Sequence, residues 1–363
     1  MLNILDYIKW RGDLTIDKSP MNELDYIILA RFSYLPFKLI NFRGEKTIQF
    51  IKNEMQDLKK EDFLWPDDKE FISLLGDSIR FKSLIVSDYV EVLDEAAEKQ
   101  FSAVSIELPN NMLYISFRGT DSSLVGWKED LNMGFLRNVP SQIEAVKYLN
   151  KIAAKNNYKL VIGGHSKGGN LAVYSAIFCD DSIKERIEKI INADGPGMDK
   201  SVIQTDNYKK VLNKIETYIP QSSIVGRLLE HEEEYQVVKS VQKGVMQHDI
   251  YSWQVEPIKL VRIPNLTNNS EIFNGIVRDW LMHTTPEQRK NFINVLYEIV
   301  SSTDAKRTKD FSTDTIKKIK MILNGYRNID EESKRQIDKM IKLLLESTIK
   351  VLKENVIAEQ GDK

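Results

Sequence analysis

The segment Leu160-Val-Ile-Gly-Gly-His-Ser-Lys-Gly-Gly-Asn-Leu-Ala172 sets Ser166 inside the pentapeptide Gly164-His165-Ser166-Lys167-Gly168. A G-x-S-x-G match is common by chance, so its flanks decide what it means. Residues 159–163 read as a short buried strand and 168–178 as a helix, the setting of a nucleophile elbow. A serine on so sharp a turn stands clear of the sheet edge, where its hydroxyl can attack an acyl carbonyl. Glycines at 164 and 168 let strand and helix pass without Cβ clashes. The helix that opens at Lys167 aims backbone N–H groups and its positive dipole end at the oxyanion such an attack creates. A glycine-rich strand–helix turn with an idle serine is the plainer alternative. A phosphate-binding loop is a weaker rival, because G-x-x-x-x-G-K-[ST] is missing and Lys167 stands at the wrong place for it.

The base in this chemistry is a histidine, and the chain has four. His165 is next to the serine, so its ring cannot easily turn back onto the hydroxyl. His231 lies in Glu230-His-Glu-Glu-Glu234, which reads as a solvated charged turn, and His283 precedes a helix start as a capping or surface residue. His248 follows the strand pattern 235–241 across a short loop, at the edge where a hydrolase base belongs. A second oxyanion donor should follow an earlier strand. Phe117-Arg-Gly-Thr-Asp121 does so: Gly119 allows close approach, and Thr120 with the N–H of Lys167 would make a two-donor hole. Arg-Gly-Thr-Asp also reads as a plain β-turn.

The elements that must hold these residues alternate. Runs 101–108 and 112–117 are β-rich and separated by the turn residues Pro109-Asn110-Asn111. Residues 141–156 and 168–178 have helical patterns; 159–163, 187–192, 214–219, 235–241 and 250–255 read as strands. Strand–helix–strand alternation implies a mostly parallel central sheet flanked by helices. We expect three parts. Residues 1–98 are a mainly helical segment with the character of a cap, 99–263 the α/β core, and 264–363 a helical appendage with amphipathic patterns at 316–323 and 333–356.

Composition narrows the classes further. The 363 residues are 42% hydrophobic and 29% charged, an ordinary globular balance. The 51 basic and 53 acidic residues give a net charge of −2, which offers no reason to expect a nucleic-acid partner. Cys179 is the sole cysteine, so neither an intramolecular disulfide nor a multi-cysteine metal site is expected, and its surroundings suggest a buried structural thiol. The first residues lack a secretory signal pattern. No apolar run approaches the roughly 18 residues of a membrane span. The expected location is cytoplasmic.

Taken together, these motifs resemble the lipase class 3 group of α/β-hydrolases and, more closely, a bacterial family of uncharacterised Mbeg-like hydrolases. The residues that carry the likeness are Ile4-Leu-Asp-Tyr-Ile-Lys-Trp-Arg-Gly-Asp13, Phe117-Arg-Gly-Thr120, Trp127-Lys-Glu-Asp130 and Gly164-His-Ser-Lys-Gly-Gly-Asn170. Further on come Asp194-Gly-Pro-Gly197, Ser223-Ile-Val-Gly-Arg-Leu-Leu229, Gln247-His-Asp249 and Ser252-Trp253. The resemblance implies an α/β-hydrolase fold and a serine-dependent reaction on a carboxylic ester or related acyl bond, with a small-molecule or lipid-like substrate and no metal or organic cofactor.

In class 3 lipases the acid of the triad follows a later strand, and the matching place here, Pro220-Gln-Ser-Ser223, has no carboxylate. Asp194, after the strand 187–192, is similar in placement to the acid of pancreatic-type lipases and is our choice. Ser222 or Ser223 as a neutral orienter, a carboxylate from Glu230–Glu234, and a mere turn role for Asp194 stay open. Trp127 and Asp130 match a Trp-x-x-Asp element read as fixing the oxyanion loop, though core packing also accounts for the tryptophan. The missing acid keeps alive a hydrolase-like fold that only binds a ligand. An acyltransferase or thioesterase would use the same serine.

Overall fold

The computed structural model describes residues 2–121, 123–133, 138–301, 326–327 and 329–361. Its centre is an eight-stranded sheet whose strands lie side by side in chain order. These are β1 (Lys46–Thr47), β2 (Ile85–Asp94), β3 (Lys99–Leu108), β4 (Met112–Phe117), β5 (Lys159–His165), β6 (Ile187–Ala193), β7 (Ile215–Pro220) and β8 (Tyr235–Val238). β1 pairs with β2 and β3 with β4 in antiparallel fashion, whereas β4 to β8 are parallel. The helices are α1 (Ile4–Arg11), α2 (Glu23–Phe32), α3 (Ile48–Met55), α4 (Asp68–Asp77), α5 (Leu124–Asn132), α6 (Pro140–Ala153) and α7 (Lys167–Phe178). They continue with α8 (Asp181–Lys184), α9 (Lys200–Ile203), α10 (Asp206–Val211), α11 (Asn268–Met282), α12 (Pro286–Ser301) and α13 (Glu331–Gly361). The chain is thus α/β, with a mostly parallel sheet between helices.

Alternation along the strands builds two cores. Leu113, Ile115 and Phe117 of β4 with Leu160 and Ile162 of β5 face Ala145, Leu149 and Ile152 of α6 and Leu171 and Ala172 of α7. Tyr114, Val161, Ile191 and Tyr218 point the other way, into a cluster with Ile4 and Ile8 of α1 and Ile27 and Ile28 of α2. α7 is buried from Lys167 to Ile177, and so has no polar face to mark it as amphipathic.

The N-terminal helices are tied down by polar groups as well as by apolar area. Asn3 with Asp6 and Asn22 with Asp25 form reciprocal capping boxes at the starts of α1 and α2. Asp25 and Arg80 form an ion pair with both side chains fully buried, and Tyr7 donates its hydroxyl to Asp25 Oδ1 at 2.9 Å. Arg31 and Asp68 form a second buried pair at 2.6 Å, where Tyr251 adds a hydroxyl at 2.7 Å. Part of the N-terminal signature therefore serves this packing.

Most expected elements appear within a residue or two. The turn 109–111 joins β3 to β4, with Asn110 and Asn111 at φ 63° and 55°, a region asparagine tolerates better than most residues. The segment before residue 99 holds α1 to α4 together with the strands β1 and β2, and Asp88 within β2 has φ 56°. One reading needs correction. The run 250–255 is not a regular strand: Ile250–Ser252 is a 3-10 turn, and only isolated bridges join Ser240 to Trp253 and Val255 to Leu260. The amphipathic pattern at 316–323 lies outside the described residues.

The chain divides into two compact units. The first holds residues 1–93, 100–119 and 140–266, and the second residues 94–99, 120–139 and 267–363. Within the second, Trp280 Nε1 donates to the Met340 carbonyl at 3.2 Å, and Lys350 pairs with Asp279 at 2.5 Å, joining α11 to α13. Lys128 of α5 pairs with Glu98 at 2.6 Å and lies over the Tyr297 ring. Among the described residues, no helix is long and apolar enough to cross a membrane.

Candidate active site

β5 runs straight into α7 through Ser166, whose backbone is forced to φ 58°, ψ −133°. This left-handed geometry costs of order 1–3 kcal/mol for a residue with a side chain and persists only where packing dictates it. The glycines explain the packing. A Cβ at Gly164 would lie 2.3 Å from the Gly168 carbonyl carbon, and one at Gly168 would lie 2.2 Å from the Phe117 carbonyl oxygen. The conformation also redirects the hydroxyl. An N-cap serine ordinarily accepts an N–H of the first helical turn. Ser166 does not cap α7, and its hydroxyl has no hydrogen-bond partner among the described residues. Lys167 is the first residue of α7, so its N–H has no acceptor within the helix. Its side chain is buried, with Nζ donating to the Gln100 carbonyl and to Gln100 Oε1 at 2.7 Å.

His248 ends a 3-10 turn, Gly244–His248, in the loop after β8. Its Nδ1 lies 2.6 Å from Asp194 Oδ2. A carboxylate can only accept, so Nδ1 carries a proton, and a neutral ring in this tautomer has its lone pair on Nε2. The Asp194 carboxylate is fully occupied on its other oxygen: Oδ1 accepts the Ser223 hydroxyl at 2.5 Å and the Gly226 N–H at 3.2 Å. Asp194 follows β6 in the left-handed region, at φ 50°, and its own N–H is held by the Tyr218 carbonyl of β7. Nε2 of His248, like the Ser166 hydroxyl, has no hydrogen-bond partner among the described residues, so these two groups are not bonded to each other here. The His248 ring nevertheless lies against His165, the neighbour of Ser166, with centroids 4.5 Å apart.

The other named residues fall as follows. Gly119 sits on the elbow: a Cβ there would be 3.1 Å from Ser166 Cβ and 2.6 Å from the His165 carbonyl oxygen. Thr120 comes next in the chain, and its hydroxyl donates to Asp130 Oδ2 at 2.5 Å. Trp127 is half-buried rather than a core residue. Ser223 orients the acid and not the imidazole, while Ser222 donates its N–H to Gln247 Oε1 at 2.8 Å. His283 ends α11 with Nδ1 on the Asp279 carbonyl and a side chain 54% exposed. His231 is not solvated. It pairs with Glu233 at 2.8 Å, both side chains 5% exposed. Burial works against charge on Glu233, yet His231, Thr217 and Tyr208 bring its carboxyl down to about 2. That pair anchors the loop before β8, where Glu230 bridges to Met198 beyond the Asp194 turn. Cys179 is buried, and burial pushes its thiol up to about 11.

A family model described as Mbeg1-like matches residues 75–298. The chain belongs to the Mbeg1-like family. Among solved structures, a native Rhizomucor miehei lipase propeptide complex matches this Mbeg1-like chain at 15% identity and a TM-score of 0.38, over 59% of this chain and 67% of that one. A deletion mutant of the same complex matches with the same identity and TM-score, over 66% of its chain, so the alignment spans about two thirds of either lipase. No curated protein matches the chain.

Several residues that shape the site in this Mbeg1-like protein had no role assigned from sequence. Asn170, in the elbow motif, donates to the Pro196 and Gly197 carbonyls at 3.2 and 2.7 Å and accepts from Gln142, which pins the turn beyond Asp194. Gln247 donates to the Gln242 carbonyl, and its own carbonyl takes the Trp253 indole N–H at 2.8 Å, so the residue before His248 is held through both side chain and main chain. Tyr34, on the chain after α2, gives its hydroxyl to His165. Asn170, Gln247 and Trp253 stood inside quoted motifs and were findable there; Tyr34 had no signal. Among the described residues, no group of His, Cys, Asp and Glu is placed to hold a metal ion.

Proposed function

We propose that this Mbeg1-like chain is an α/β-hydrolase of the lipase and esterase kind that cleaves a carboxylic ester or related acyl bond through an acyl-enzyme. One observation supports the reading: the strained elbow leaves the Ser166 hydroxyl uncapped, and the ring lying against its neighbour His165 is that of His248, whose Nδ1 donates a hydrogen bond to Asp194. In the proposed reaction Ser166 Oγ attacks the acyl carbon while Nε2 of His248 takes its proton. Asp194 stays ionised and stabilises the imidazolium. The tetrahedral oxyanion is met by the N–H of Lys167 and by Thr120, the latter proposed from its place one residue after Gly119. His248 returns the proton to the leaving alcohol, and water, activated by the same base, releases the acid from Ser166.

A fluorophosphonate probe tests this directly. The protein should take up one equivalent on Ser166 and hydrolyse short p-nitrophenyl esters, and Ser166→Ala should lose both while melting at the same temperature. Intact protein that forms no adduct would make the fold a binding module. An adduct with product partitioning to an added alcohol or amine, in place of water, would make it an acyltransferase.

A further inference from the structure

We infer that His165, the residue before the serine, is a positioning residue that holds the main chain of His248 in place. The inference rests on the serine-hydrolase reading and deepens it. Nε2 of His165 lies 2.8 Å from the His248 carbonyl oxygen, which can only accept, so Nε2 carries the proton. Nδ1 lies 3.2 Å from the Tyr34 hydroxyl, whose single proton faces both Nδ1 and the His165 carbonyl at 3.0 Å, while its oxygen accepts the Gly119 N–H at 3.1 Å. One tyrosine hydroxyl thereby fixes both the elbow and the segment leading to Thr120, and the ring it orients reaches across to the base.

The arrangement gives His248 two separate restraints. Asp194 holds its side chain, and His165 holds its backbone. Asp194 ties only the ring, whereas His165 ties the His248 carbonyl itself, in a loop that carries the exposed Val245 and Met246. The stacking of the two rings, 35° apart in plane, adds a requirement on charge. His248 becomes an imidazolium in each turnover, so a second imidazolium against it would oppose proton uptake. His165 avoids this by staying neutral. Burial, the neighbouring His248 and the Arg31 guanidinium together hold it well below the ordinary histidine range.

Three variants separate positioning from filling space. His165→Gln keeps an N–H near the place of Nε2, His165→Leu keeps the volume without a donor, and His165→Asn puts its amide where Nδ1 was, short of the His248 carbonyl. A base contributes about 10²–10⁴-fold to such reactions, and displacing it forfeits part of that. His165→Leu and His165→Asn should therefore lose about 10- to 100-fold in kcat with KM nearly unchanged, and His165→Gln should recover to within about fivefold of the parent. Fluorophosphonate labelling of the unaltered protein is run first. If it fails, the serine-hydrolase reading falls and this inference with it. If labelling succeeds but Asn and Gln variants of equal melting temperature share the same kcat, or the loss appears in KM, the positioning role alone is refuted.

Discussion

Replacing Asp194 by asparagine changes one oxygen to an amide nitrogen at nearly constant volume, and the contacts of the carboxylate say which way the amide will turn. Oδ1 accepts from two donors, the Ser223 hydroxyl and the Gly226 N–H, while Oδ2 faces His248 Nδ1 alone. Turning the NH2 toward Gly226 would oppose two N–H groups and leave a buried donor unmade, at a cost of about 1–3 kcal/mol. The favoured rotamer keeps the oxygen on Ser223 and Gly226 and presents NH2 to His248. Nδ1 must then accept, so the proton moves to Nε2, the atom that has to receive the serine proton. In a serine triad that inversion is worth about 10⁴ in kcat, which at 1.36 kcal/mol per decade is about 5.4 kcal/mol of barrier. Stability should fall by no more than about 1–2 kcal/mol, because a single hydrogen bond is exchanged. Steady-state kinetics on a short p-nitrophenyl ester, the rate of fluorophosphonate inactivation and a urea unfolding curve measure the three quantities. A variant that keeps its activity within tenfold of the parent would show that Asp194 does not set the tautomer of His248. Loss of activity only in step with unfolding would show that it is a fold residue.

Two further outcomes test the supports of the site. The Glu233 carboxyl sits at about 2, well below the 4.5 of an ordinary glutamate, so its contribution is complete above pH 5 or so and disappears as the pH falls toward 2. At neutral pH this shift corresponds to stability of the order of 3 kcal/mol; the parent should outlast Glu233→Gln in urea at pH 7 and match it near pH 2, and a constant gap across that range would contradict the assignment. Asp25→Asn leaves the Arg80 charge fully buried with half its partner gone, a change expected to destabilise by about 3–5 kcal/mol in chemical unfolding while spared molecules keep their kcat.

What the sequence disclosed of the fold follows from how local each cause is. The β5–α7 junction was legible because glycine spacing, a change of hydrophobic period and the elbow are one local event in the chain. β2 was not. Ser87, Asp88 and Glu91 interrupt its alternation, and Asp88 takes a left-handed conformation that breaks the pattern mid-strand. The run after His248 misled for the opposite reason: Ile250, Tyr251, Trp253 and Val255 have strand composition, but Asp249 caps a tight turn and the Trp253 indole is drawn to Gln247. His231 looked solvated among glutamates, but its partner Glu233 is held by Thr217 and Tyr208, from other parts of the chain.

The same distinction runs through the candidate site. A residue proposed to react needs an unusual backbone or a late loop beside a strand end, and both leave marks in a short window, as at Ser166 and His248, whereas Asp194 was chosen through a resemblance with alternatives open. A residue that merely holds another needs one donor or acceptor in the right spot, and any part of the chain can supply it. Tyr34 reaches His165 across 131 positions, and Ser223 reaches Asp194 across 29. Neither position demands a special conformation, so neither announces itself. Motif residues with no chemistry of their own, such as Asn170, Gly226 and Gln247, are therefore best read as clamps of the groups proposed to react, and on that proposal substitution at them should move rates through geometry rather than through loss of a reacting atom.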